Sequence, residues 1–267
     1  MSRWSDQIGT LRQAASKGSS MFSRTTLWID GERARVLDHA GRSVPLSSIG
    51  DTAAALKAIE ALAPKPARPG LHALRVVVGA PFARYYALPW QALPKPADWV
   101  SMARIQTTQT GAGAEPWRYA VSDGVWGHGR LAAAMPESLC AGIARLCKSR
   151  RLQLSGIEPA YTFALQKHAR RIRDGAIAVV TLEPTEGDAA LAHIGMRRAG
   201  GWSGFIGLPV SGPLDDVLRD AFVLCAIEPP ERRYVIGPAD ASRWMASAAA
   251  PGASMVEWLA APWDAAA

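Results

Sequence analysis

One order of elements occurs twice in this 267-residue chain, and it constrains the fold more than any other feature. In the second half, "AIAVVTLE" (176–183), "GDAALAHIG" (187–195) and "RRAGGW" (197–202) predict three consecutive strands. "GPLDDVLRDAFVLCA" (212–226) predicts a helix, "RRYVIG" (232–237) a strand, "ADASRWMASAA" (239–249) a helix and "SMVEWL" (254–259) a last strand. Short apolar runs between glycine and proline breaks read as strands, and apolar residues at helical spacing read as helices.

The first half repeats this order. "TTLWID" (25–30) and "RARVLD" (33–38) flank Gly31-Glu32 as a tight hairpin, and "RSVPL" (42–46) adds a third strand. Asp51 is an N-cap candidate for the helix "TAAALKAIEAL" (52–62), which "PKPARPG" (64–70) ends. An aspartate there accepts hydrogen bonds from otherwise unpaired N–H groups of the first turn. "LRVVVG" (74–79) is the fourth strand, and its unbroken apolar run suits a place inside a sheet. The helix "PESLCAGIARLCKSR" (136–150) has Pro136 at its start; the strand "LQLSGIEP" (152–159) and the helix "AYTFALQKHAR" (160–170) follow.

Residues 82–135 interrupt this first copy of β-β-β-α-β-α-β. There "RYYALPW" (84–90) predicts a strand, and "KPADWVSMARIQTTQ" (95–109) a helix with Trp99, Met102 and Ile105 or Gln106 on one side. "PWRYAVS" (116–122) and "GRLAAAM" (129–135) predict a hairpin around "DGVWGH" (123–128). The expected division is a basic N-terminal tail (1–24), a first subdomain (25–81 and 136–170), an insertion (82–135) and a second subdomain (171–267). In the tail, Trp4, Ile8, Leu11 and Ala15 recur at helical spacing, which fits a flexible terminus, a docking helix or a weak membrane anchor.

Composition removes several classes. Hydrophobic residues make up 49% and charged residues 20%, so the chain can bury a core. No apolar run approaches the roughly 18 residues of a spanning helix. The first residues lack the apolar stretch of a secretory signal. The expected location is cytoplasmic. Cys140, Cys147 and Cys225 are odd in number and lack C-x-x-C spacing, so buried thiols are expected. The net charge is +7, with Arg145, Lys148, Arg150, Arg151, Lys167, Arg170, Arg171 and Arg173 grouped together. Cations at helix C-termini complement the macrodipole. With no nucleic-acid motif beside them, no nucleic-acid partner is expected, and a basic adaptor is the weaker alternative. The five histidines (39, 72, 128, 168 and 193) show no metal-ligand spacing, so no metal is expected.

The duplicated order with its insertion resembles the actin-like (ASKHA) fold: α/β, two RNase H-like repeats with a small α+β insertion in the first. "VVVGAPFARYYALPW", "DWVSMARIQ", "GRLAAAMPESLCAGIARLCKSRRLQLSGIEPAYTFAL" and "AIAVVTLEPTEGDAALAHIGMRRAGGW" are similar to the cytoplasmic platform proteins of type IV pili (the PilM family) and to the cytoplasmic domain of the type II secretion protein GspL. The resemblance implies a scaffold at the inner-membrane face, bound to pilus or secretion inner-membrane assembly proteins and reaching the membrane through a partner. A homodimer stays open. It also implies that the insertion and the groove beside it bind partners.

Actin-like ATPases hold phosphates on two glycine-rich hairpins, where backbone N–H groups must approach closely. Here "WIDGERARV" offers Asp30 and Gly31, but Glu32 and Arg33 replace small residues. "TLEPTEGDAAL" lacks Asp-x-Gly and adds Glu183 and Glu186; the adenosine glycines shrink to Gly237. The expectation is a non-catalytic protein without a cofactor. The alternative is an ATP- and Mg-binding ATPase or kinase using Asp30, Gly31 and Gly237. "GAPF" (79–82) is no phosphate loop, since no G-K-[ST] follows. Among the ten tryptophans, Trp90, Trp99, Trp117 and Trp126 fall in the insertion. Tyr85, Tyr86, Trp90, Trp99 and Trp126 are the partner-binding candidates, with Trp126 expected to be exposed; the competing reading is that aromatics fill a small core.

Overall fold

The computed structural model describes residues 23–37, 41–66, 71–109, 115–185, 189–238 and 255–264. The expected tail helix and the helix expected at 239–249 lie outside them. The first repeat consists of β1 (Ser23–Ile29), β2 (Arg33–Val36), β3 (Ser43–Pro45), α1 (Thr52–Leu62) and β4 (His72–Val78). The insertion follows, with β5 (Arg84–Leu88), α2 (Pro96–Gln109), β6 (Trp117–Val121) and β7 (Arg130–Pro136). The first repeat resumes with α3 (Glu137–Ser149), β8 (Gln153–Pro159) and α4 (Ala160–Lys167). The second repeat contains β9 (Ile177–Pro184), β10 (Ala190–Arg198), β11 (Gly201–Val210), α5 (Leu214–Leu224), β12 (Arg232–Gly237) and β13 (Met255–Ala260).

Two five-stranded sheets, ordered β3-β2-β1-β4-β8 and β11-β10-β9-β12-β13, correspond position by position. In each, the first strand pairs antiparallel with the second and parallel with the fourth. This duplicated order is the actin-like fold expected from the sequence. Asp51 caps α1 as predicted, its carboxylate accepting from the N–H of Ala53 at 3.3 Å and Ala54 at 3.0 Å.

Three apolar clusters hold the molecule. The largest joins the repeats around Trp28, Tyr161, Tyr234 and Trp263. A second packs α5 on β9 and β10 through Val180, Ile194, Leu218 and Phe222. The third, inside the insertion, packs Tyr86, Leu88 and Trp99 together.

Two expectations need correction. "RRAGGW" is not a strand: β10 runs to Arg198, and Ala199 and Gly200 turn at φ 51° and 82°. The third strand then spans ten residues, Gly201–Val210. On α2, Trp99 and Met102 pack on the insertion's core as expected, with Ala103 and Thr107 also buried, while Ile105 is 60% exposed. The basic group is partly paired: Arg150 donates to the Ala63 carbonyl at 2.7 Å and meets Glu60, and Arg171 meets Glu257 at 2.8 Å. No helix among the described residues is long and apolar enough to cross a membrane.

Candidate functional site

The residues expected to face a nucleotide are packed against their own chain. Asp30 follows β1, and its Oδ1 accepts from the N–H of Glu32 at 2.9 Å and of Arg33 at 2.8 Å. Its Oδ2 accepts from the Trp28 indole at 3.0 Å. The side chain thus occupies the turn donors that a phosphate would require. A Cβ on Gly31 would stand 2.8 Å from the Pro81 ring, so that glycine is covered. At the end of β12, a Cβ on Gly237 would stand 2.9 Å from the Trp258 ring. No cluster of three His, Cys, Asp or Glu fit for a metal occurs among the described residues.

In the second repeat, Glu183 lies near the end of β9 and is 3% exposed. Its Oε2 accepts from the Ala80 N–H at 2.8 Å, and its Oε1 is 3.1 Å from His193 Nδ1. Glu186 lies outside the described residues. Next to Glu183, the Tyr85 ring packs on Tyr161, His193 and Phe205, with centroids 5.5, 5.1 and 5.2 Å away. Burial, and then the Glu183 charge, push the Tyr85 hydroxyl well above its usual range. That hydroxyl accepts from the Tyr161 N–H at 2.9 Å.

The partner-binding candidates separate into two groups. Tyr85, Tyr86 and Trp99 are 7%, 8% and 2% exposed, so they form core rather than surface. The reason is that β5 is covered on both faces. Successive side chains alternate across a strand, so Tyr85 enters the central cluster and Tyr86 the insertion's own. Trp99 is fixed by its indole N–H donating to the Leu93 carbonyl at 2.9 Å. Trp90 and Trp126 are exposed at 43% and 63% and meet edge to face at 5.8 Å.

A groove that the residue pattern did not single out lies beside the insertion. β6 is an outer strand of the sheet β5-β7-β6, and β8 is the outer strand of the first repeat's sheet. A cavity of about 290 Å³ separates them. Arg118, Tyr119 and Ala120 form one wall and residues 154–158 the other, with Met135 and Cys140 also lining it. Runs of consecutive residues line a space only where a strand presents its edge, because a sheet face offers every second residue. Two strand edges therefore border this groove. At one end Arg118 forks onto Glu137 at 2.9 and 2.6 Å. At the other, Glu158 Oε1 is 3.4 Å from Arg75, and no hydrogen bond reaches Glu158 Oε2. Burial pushes the Cys140 thiol up to about 11, so it is a wall and not a nucleophile.

The sequence matches no protein-family profile and no curated protein. Its structure is similar to the cytoplasmic domain of EpsL, an inner-membrane component of the type II secretion system of Vibrio cholerae, at TM-score 0.49 and 11% identity over 89% of each chain. It is similar to a Bacteroides thetaiotaomicron protein with an actin-like ATPase fold, at TM-score 0.48 and 7% identity over 90% of this chain and 91% of that one. It is also similar to the PilM-PilN type IV pilus biogenesis complex, at TM-score 0.47 and 14% identity over 83% of each chain. By its two matching sheet orders, the chain is a protein of the actin-like fold.

Proposed function

We propose that this chain is a non-catalytic scaffold of a type IV pilus or type II secretion-like assembly platform, and that it holds an extended segment of a partner between β6 and β8. The observation that carries this reading is the pair of strand edges facing each other across the groove, neither of which pairs with a further strand among the described residues. An extended peptide satisfies such edges with its own backbone, and side-chain pockets between them select its sequence. The exposed Trp90–Trp126 pair offers a partner domain a second contact on the same subdomain. The setting, at the inner face of the membrane and joined to it by the partner, is the one implied by the sequence resemblance.

The self-satisfied Asp30 turn, the covered Gly31 and Gly237, and the acid at position 183 support the absence of ATP hydrolysis. The test is calorimetry with peptides copied from the cytoplasmic tails of the organism's own inner-membrane pilus and secretion proteins. One of them binds the wild-type chain and protects β6 and β8 amides from exchange. Ala120→Arg, which fills the groove, abolishes binding while melting close to wild type. Stabilisation by Mg-ATP, with no peptide bound, would sink this reading and favour the nucleotide-binding alternative.

A further inference from the structure

The junction of the two repeats contains a buried carboxylate. Glu183 belongs to the second repeat, and the N–H it accepts from belongs to Ala80, where the first repeat passes into the insertion. The backbone there is shaped to receive an anion. Gly79 has no side chain, and a Cβ in its place would stand 2.7 Å from Glu183 Oε2. The next residue, Ala80, presents its N–H to that same oxygen. His193 completes the arrangement from β10, its Nδ1 3.1 Å from Oε1, and is 6% exposed and packed edge-on to Tyr85. A glycine followed by a directed N–H, next to an imidazole donor, is the chemistry of a small anion site.

We propose that Gly79, Ala80 and His193 form a carboxylate seat between the repeats, and that Glu183 fills it as a built-in ligand. The carboxylate ties the second repeat to the root of the inserted subdomain. Without it, a half-buried N–H and a buried imidazole lose their partner, and leaving the imidazole unpaired is costlier than the bond itself is strong. An external carboxylate of similar size then replaces it.

The experiment is chemical rescue of Glu183→Ala. The variant melts below wild type; sodium formate restores part of the loss, whereas sodium chloride at equal ionic strength does not, and neither salt distinguishes itself on the wild type. An unchanged melting temperature overturns the proposal. So does a loss that formate fails to recover or that both salts recover equally. Should the alanine variant not fold, Glu183→Gln keeps the shape and exchanges a charged acceptor for a neutral one. Hydrogen exchange at the Ala80 amide then quickens by about tenfold, since charge-assisted bonds are roughly twice as strong as neutral ones. Unchanged exchange at Ala80 would equally overturn it.

Discussion

Asp30 and Glu183 stand at comparable places in the duplicated fold. Each lies at the end of the central strand of its sheet, where the chain turns into an antiparallel neighbour. Their carboxylates do different things. Asp30 stays within its own segment, closing its turn with the N–H groups two and three residues on and accepting from the Trp28 indole two residues back. Glu183, one methylene longer, leaves its hairpin and bonds 103 residues away, in the other repeat. An acid at this place thus closes a hairpin in the first repeat and joins two halves of the molecule in the second. Trp28 connects both: its indole donates to Asp30, and its ring lies 2.9 Å from where a Cβ of Gly79 would stand.

Three substitutions sharpen or break this contrast. Trp28→Ala strikes both acids, removing a fully buried ring stacked 4.5 Å from Trp263, and is expected to cost about 3–5 kcal/mol in urea unfolding. A milder loss would mean that the two sites are not linked through this ring. Gly79→Ala crowds the Glu183 carboxylate and leaves the Asp30 turn alone; the expected loss is about 1–3 kcal/mol, with faster exchange at Ala80 and not at Glu32. Asp30→Ala reverses that pattern. It should cost about 1–2 kcal/mol, quicken exchange at Glu32 and Arg33, and leave Ala80 protected. Equal responses at both places in either variant would erase the distinction between a local and a bridging acid.

Much of the architecture was legible because it is written in short-range pattern. The order of strands and helices, the Asp51 cap and the insertion after β4 follow from apolar periodicity and from breaks that neighbouring residues supply. The boundary between β10 and β11 is hidden in the sequence because arginines and glycines look alike in a hairpin turn and at a strand edge. There the antiparallel register from Ala190 with Val210 to Arg198 with Gly201 decides the matter, and it is formed between segments, not within one. Tyr85 and Tyr86 read as surface because a strand covered on both faces has no polar alternation to betray it. Once β11 and α2 cover β5, both tyrosines are interior.

The sequence by itself determined a duplicated α/β chain with an inserted subdomain. Local hydrogen bonding and apolar spacing suffice for that, since each acts over a few residues. Only the tertiary structure decided what the acids and aromatics do. The Glu183–Ala80 bond, the burial of Tyr85 and the two strand edges facing across the groove each join segments far apart in the chain. Such contacts depend on how whole sheets pack, and no window of sequence contains both partners.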